Sequence, residues 1–187
     1  SFNEEKYIVA CILSCLNQEG LEKRPEVFVC DGVSTDQTQQ KVLQLQKEYP
    51  EVKLIQNPAR YTPVALNLGI KNSTTDIIII LGAHSVLQKD YVFNCLKALE
   101  EHPATGCVGG IIESEFSDEN SACIGLAQTS SFGVGNAYFR TGNSSGYVDT
   151  VAFGAYRREV FEKAGYFDEE LIRNQDDEMN FRLLKSG

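Results

Sequence analysis

Nowhere in this chain do Lys or Arg gather into a run, and the formal net charge is −9. A phosphate-backbone partner would meet net repulsion in place of the usual release of counterions, so nucleic acid is not an expected partner. No CxxC pair is present either. Six cysteines (Cys11, Cys15, Cys30, Cys95, Cys107, Cys123) are scattered, mostly at apolar positions. They read as reduced core thiols acting as small hydrophobes, which sets aside disulfides and zinc and points to a reducing, cytoplasmic setting. The apolar run Ile77 to Leu81 is far too short to cross a bilayer, and no charged-then-apolar leader opens the chain. Membrane association, at the inner face, is expected only through segments outside this chain. Two common nucleotide signatures are missing as well: there is no GxGxxG and no GxxxxGKS/T, which counts against dinucleotide and P-loop readings. Internal repeats and low-complexity tracts are absent.

What is present suits one α/β domain. The 187 residues, 42% of them hydrophobic, can bury a substantial core, and the working assumption is a single domain over 1–187. Both ends look cut from something longer. Ile8, Cys11, Ile12, Cys15 and Leu16 make a helical stripe, with Asn3 as its expected cap and Glu4 and Glu5 at the positive end of its dipole. Val27 to Cys30 reads as a strand, the residues after Asp31 as a loop, and Gln39 to Tyr49 as a helix for which Ser34 and Gln37 would form a capping box. The alternation repeats: strand Val52 to Gln56, helix Pro63 to Lys71, strand Ile77 to Leu81, helix Lys89 to Glu101. Such alternation implies a parallel sheet with helices on both faces, and four consecutive isoleucines suit a strand buried on both sides. Beyond Thr105 to Ile112 the pattern loosens. A Gly-, Ser- and Asn-rich loop spans Gly133 to Gly146, and order returns with Val148 to Tyr156 and with helices near Arg158 to Ala164 and Asp176 to Leu184.

Several residues carry chemistry. Asp31 ends a strand, which delivers its carboxylate to the carboxyl edge of the sheet, where open α/β folds collect ligands. There it could accept from a base N–H or a ribose hydroxyl, or simply form a turn. Asp36, at a helix opening, is read as a cap. Gly82-Ala83-His84 follows the buried strand and brings an imidazole to the same edge, where it could ligate a transition metal. Gln175-Asp176-Asp177-Glu178 opens a helix. Asp176 shares a face with Met179, Asn180 and Leu183, so it is the acid that the spacing turns inward, as a partly buried general base for a hydroxyl nucleophile. Arg60, near the helix that starts at Pro63, could reach a diphosphate. Arg157 and Arg158 are read as the first turn of a surface helix.

Together these segments resemble the family 2 glycosyltransferases, inverting enzymes of the GT-A fold that use nucleotide sugars. Phe2-Asn3-Glu4-Glu5 matches the family's opening, Asp31 to Asp36 its D-D-G-S-T-D segment, and Ala65-Leu66-Asn67-Leu68-Gly69 its A-x-N-x-G helix. Phe153 to Phe161 with Gly165 to Glu169 looks like the acceptor-side segment, and Gln175-Asp176 with Arg182 approximates the E-D-x-x-x-x-x-R helix. The resemblance implies a GT-A-like α/β fold with a mostly parallel central sheet, its first family strand missing from this chain. It also implies a nucleotide-binding half (1–112) and an acceptor-binding half (113–187). The implied function is hexosyl transfer from a nucleotide-sugar donor, a UDP-sugar, to a hydroxyl of a saccharide or lipid-linked acceptor in polysaccharide synthesis. In that scheme Asp176 is the catalytic base. Asn3, Glu5, Asp31, Arg60, Asn67 and Gly82 contact the nucleotide, while Gly154 and Asp177 contact the acceptor. Where the family has D-x-D this chain has Gly82-Ala83-His84, so His84 is the metal residue and the cofactor is a divalent cation, Mn or Mg, manganese being the better match to imidazole. This version is similar to the succinoglycan-type glucosyltransferase branch. Two alternatives stay open: a catalytically inactive nucleotide-sugar-binding or scaffold module, and, less well matched, a sugar-nucleotide pyrophosphorylase.

Overall fold

The computed structural model describes residues 1–114, 146–148 and 150–186. In chain order the elements are α1 (Ile8–Leu16), β1 (Val27–Asp31), α2 (Thr38–Glu48), β2 (Val52–Gln56), α3 (Thr62–Asn72), β3 (Ile77–Ile79), α4 (Tyr91–Glu101) and β4 (Cys107–Gly110). They are followed by β5 (Ala152–Arg157), α5 (Arg158–Ala164) and α6 (Gln175–Ser186). Of the loop expected over 133–146, all but Gly146 lies outside the described residues.

The α/β class and the helices on both faces are as expected, but the strands form two sheets. β1 and β2 run parallel, from Val27 opposite Val52 to Asp31 opposite Gln56. β5 lies antiparallel between β3 and β4, with Tyr156 opposite both Ile78 and Cys107. β1 and β3 do not pair. On the edge of β1 away from β2, the Ser1 amine donates to the Cys30 carbonyl at 2.7 Å and the Gly32 amide donates to the Ser1 carbonyl at 2.7 Å. Those two bonds make a single parallel rung opposite Asp31. Below that rung a cavity of about 1190 Å³ separates the two sheets, bounded by Val27 and Val29 of β1 and by Ile77 and Ile79 of β3.

Three clusters hold the layers together. Ile8, Ile12 and Leu16 of α1 and Val42 and Leu45 of α2 pack on Val29 and Val52. Alternation along β3 and β5 then serves both faces of the second sheet. Ile78 and Tyr156 turn toward Ile70 of α3, Val160 and Phe161 of α5 and Met179 of α6. Ile77, Ile79 and Ala155 turn instead toward Cys95 and Leu99 of α4. Complete burial of a side chain such as Phe161 or Leu99 contributes about 1.5–3 kcal/mol, so these contacts fix the rim on which the loops sit.

Local signals were less faithful than periodicity. Asn3 does not cap α1, which starts one turn later after Tyr7 with no side-chain cap. The Ser34–Gln37 capping box does not form. Asp36 lies two residues before α2, whose N-cap position is Gln37, and its Oδ1 accepts from the Thr38 amide at 2.9 Å. Arg157 and Arg158 are not merely a surface turn. Arg157 donates to the carbonyls of Leu99 and Thr105, and Arg158 to those of Ile70 and Thr75. Each guanidinium thus meets the negative end of a helix, α4 and α3 respectively.

Candidate active site at the carboxyl edge

The carboxyl ends of β1, β2 and β3 carry the three loops that bear most of the sequence motifs. The segment 31–38 is locked to the chain's opening by reciprocal bonds. The Asn3 amide donates to Ser34 Oγ at 2.9 Å, and Asn3 Oδ1 accepts from the Thr35 amide at 2.9 Å. Glu5 Oε2 accepts from the Gln37 amide at 3.0 Å, while the Glu5 amide donates to Asp36 Oδ2 at 3.1 Å. Asn3 and Glu5, expected at the nucleotide, are therefore engaged as loop fasteners. Burial pushes the Asp36 carboxyl up, but donation from the Thr38 hydroxyl and from the Thr38 and Glu5 amides outweighs it and holds the group below the usual carboxylate range.

Asp31 requires a correction of the same kind. It is 0% exposed, and its carboxylate accepts from Ser34 N, Ser34 Oγ, Gln39 Nε2 and Ser1 Oγ at 2.8, 2.6, 2.8 and 3.1 Å. Four donors fill the lone pairs of a carboxylate, so Asp31 shapes the loop from inside rather than offering an acceptor to a ligand. Asn67 is similarly committed. Its Nδ2 donates to the Phe167 carbonyl and to Glu169 Oε1 at 2.9 and 2.8 Å, and its Oδ1 accepts from the Phe167 amide at 3.0 Å. That amide clamps α3 to the turn after α5. Gly154, expected at the acceptor, is buried inside β5, where an added Cβ would lie 2.6 Å from Cys107 Sγ. It is a packing glycine.

The residues that do border the cavity mouth are Gly32, Asn57, Arg60, Tyr61, Gly82 and His84. Arg60 sits at φ 64°, a left-handed conformation that costs a non-glycine residue, and its guanidinium lies 5.5 Å above the Phe2 ring. It stands one residue before Tyr61, the N-cap of α3, whose second residue, Pro63, has no N–H to leave unpaired. Asn57 is 2% exposed. Its Nδ2 donates to the Tyr61 carbonyl at 3.0 Å, and its Oδ1 is buried without a partner. An unmet buried acceptor of this kind costs about 1–3 kcal/mol. Asn57 lies in no motif; its only signal in the sequence is its position one residue beyond the end of β2.

Gly82 and His84 sit on a turn closed by the Ser85 amide donating to the Gly82 carbonyl at 3.0 Å. The Cys11 thiol also faces the Gly82 carbonyl, at 3.6 Å. Donation from the Cys15 thiol lowers the Cys11 pKa despite burial, while the same bond and burial raise that of Cys15. The His84 imidazole is 67% exposed, with Nδ1 3.6 Å from Glu4 Oε1. Among the described residues no group of three or more His, Cys, Asp or Glu side chains is arranged to hold a metal ion. His84 with Glu4 is a two-donor set, which suits a cation that takes its other ligands from phosphate oxygens and water.

Asp176 and Asp177 lie in the first turn of α6 and are both exposed, so Asp176 is not the half-buried acid that the spacing suggested. The helix face is nevertheless the expected one. Met179 and Asn180 are buried, and Asn180 Nδ2, one turn below Asp176, donates to Thr150 Oγ1 at 2.9 Å. Thr150 leads into β5 at the end that meets Gly82, since the Phe153 ring lies 3.5 Å from a Cβ built on Gly82. Asp176 also acts on Tyr156: burial, then the Cys107 thiol, then the Asp176 charge push that phenol well above its ordinary range. Asp177 has no such link to the rim.

The described geometry is an α/β domain with a cavity between its sheets that reaches the carboxyl edge, where a cationic side chain stands near a helix start and an imidazole lines the same space. Residues 1–165 match the model of Glycosyl transferase family 2, and the chain belongs to that family. A Methanococcus voltae dolichyl N-acetyl-alpha-D-glucosaminyl phosphate 3-beta-D-2,3-diacetamido-2,3-dideoxy-beta-D-glucuronosyltransferase is 34% identical over 194 residues, covering 100% of this chain and 60% of that protein. The succinoglycan biosynthesis protein ExoA of Rhizobium meliloti is 30% identical, covering 94% of this chain and 58% of that protein. The chain thus spans about three-fifths of these relatives' length. Among solved structures, Staphylococcus aureus TarS 1-349 in complex with UDP superposes with a TM-score of 0.75 at 19% identity, over 100% of this chain and 53% of that one. The mannosyltransferase PcManGT from Pyrobaculum calidifontis, in complex with GDP-Man and Mn2+, gives 0.72 at 20% identity, over 98% and 49%. These likenesses establish the GT-A fold. No helix among the described residues is long and apolar enough to cross a membrane.

Proposed function

We propose that this chain is the donor-binding and catalytic part of an inverting glycosyltransferase that moves a sugar from a nucleoside diphosphate sugar, a UDP-sugar, to a hydroxyl of a saccharide or lipid-linked acceptor. The observation that supports the reading is the cavity, whose lining brings Arg60, Thr62 at the start of α3 and His84 to one space. Arg60 and the α3 amides meet the negative diphosphate, an interaction that strengthens as the sugar–phosphate bond breaks. A divalent cation, when bound, supplies further charge neutralisation at that diphosphate, and His84 would hold it. Asp176, on the α6 face fastened to Thr150, takes the proton from the acceptor hydroxyl as that oxygen attacks the anomeric carbon from the side opposite the departing diphosphate. Inversion follows from this single displacement. Relatives that act in dolichyl-linked and succinoglycan synthesis support a polysaccharide or lipid-linked acceptor.

The test is Asp176→Asn. It should lower transfer from a UDP-sugar by about 10²–10⁴-fold, the usual contribution of a general base, while UDP binding measured by calorimetry stays within about twofold. Equal loss of binding and turnover would make Asp176 part of the scaffold. A second reading, a nucleotide-sugar-binding module without catalysis, is favoured by Gly82 and His84 standing where the family has two aspartates. Tight UDP binding with no turnover across a panel of donors and acceptors would select it.

A further inference from the structure

We propose that Glu4 and His84 form a two-point seat for a divalent cation of the manganese class, completed by oxygens of the bound diphosphate. The inference rests on the nucleotide-sugar reading above and deepens it by taking the missing carboxylate from the chain's opening segment. Glu4 lies 80 residues before His84 in number, yet Glu4 Oε1 and His84 Nδ1 are 3.6 Å apart on the wall of one cavity. That separation is too long for an ordinary hydrogen bond, which spans about 2.7–3.2 Å. Two donors each about 2.1 Å from one ion, at angles of about 90–110°, lie roughly 3.0–3.4 Å apart, so closing on a cation takes a few tenths of an ångström.

Both backbones are anchored before any ion arrives. The Glu4 amide donates to Thr38 Oγ1 at 2.8 Å, and the Glu4 carbonyl accepts from Tyr7 and Ile8 at 3.0 and 2.9 Å. On the other side the 82–85 turn is closed by its own bond, and Ala83 packs against the core formed by α1, α2, β1 and β2. The side chains keep access to solvent, His84 at 67% and Glu4 at 23% exposure, so an ion carried by a diphosphate can enter. An imidazole beside a carboxylate selects manganese over magnesium, because magnesium prefers oxygen alone. With only two protein donors the seat is weak by itself. Cation and nucleoside diphosphate therefore tighten each other, and by linkage they do so equally.

The experiment titrates Mn2+ by the EPR signal of the free ion, with and without saturating UDP, and UDP by calorimetry in EDTA. UDP should tighten Mn2+ binding at least about tenfold. Glu4→Gln and His84→Ala should each weaken Mn2+ binding in the UDP complex by about 10-fold or more, the scale on which even outer ligands act, and leave UDP affinity in EDTA unchanged. His84 is mostly exposed, so its substitution remains informative if Glu4→Gln does not fold. Mn2+ affinity unchanged in Glu4→Gln, or in His84→Ala, overturns the seat. Wild-type protein that binds UDP and ignores Mn2+ overturns the seat but leaves the donor reading standing. Wild-type protein that binds neither removes both.

Discussion

Gly154 separates packing from recognition, and Gly154→Ala is the substitution that measures it. A Cβ at this position would lie 2.6 Å from Cys107 Sγ, 2.8 Å from Tyr156 Cε2 and 3.0 Å from Val151 Cγ2. Cys107 and Tyr156 face each other across β4 and β5, and the Tyr156 ring is wedged in the cluster formed with Phe161, so neither can retreat cheaply. Overpacking of this kind costs about 1–3 kcal/mol. Replacing a glycine in a strand returns about 0.4–1 kcal/mol by restricting the unfolded chain. The net expectation is a loss of about 1–2 kcal/mol, or roughly 2–8 °C in Tm for a chain of this size. Urea and thermal denaturation read the effect directly. Cys107→Ala in the same background removes the nearest clash, and the double variant should be more stable than the sum of the singles by about 0.5–1 kcal/mol. A Gly154→Ala protein within about 0.5 kcal/mol of wild type would refute the packing argument, and an impaired acceptor KM at full stability would restore Gly154 to the acceptor site.

Asn67→Ala removes three bonds to the 167–169 turn and strands the buried Phe167 amide, so it should cost about 2–3 kcal/mol by denaturation and leave the UDP Kd unchanged. Alkaline stability should fall from about pH 9 upward, because the bond to Cys11 together with burial raises the pKa of Cys15, and burial raises those of Cys30, Cys95 and Cys107, the last to about 12. The sign follows from linkage. The unfolded thiols ionise first, so the folded state holds more protons and loses stability as pH climbs through that window, with Cys11 opposing. Urea midpoints at pH 7.5, 9 and 10 should decline in order under reducing conditions, and a flat profile would contradict the burial of these thiols.

Hydrophobic period and strand–helix alternation determined most of the architecture. The stripe of α1 and the Met179–Asn180–Leu183 face of α6 were legible because burial acts on side chains at fixed intervals, whereas the isoleucine run, expected to be buried on both sides over Ile77 to Leu81, forms a strand only over Ile77–Ile79 and is part-buried because it borders the cavity. The order of the motifs was legible too, since strand ends deliver loops to one edge whatever the details. What neither period nor motif could reveal is which polar atoms remain free once the chain has closed. Asp31, Asn3, Glu5 and Asn67 all lie in segments that carry the family resemblance, and tertiary contacts satisfy all four internally, whereas Glu4, read from the sequence only as part of the opening segment and as a helix-dipole acid, lines the cavity beside His84. The same holds for β5, whose antiparallel course depends on partners distant in the chain, and for Gly154, whose role is set by a sulfur atom 47 positions earlier. Local sequence specifies the backbone period. Only the folded chain decides which donors and acceptors have already been paired, because those pairings join residues separated by dozens of positions.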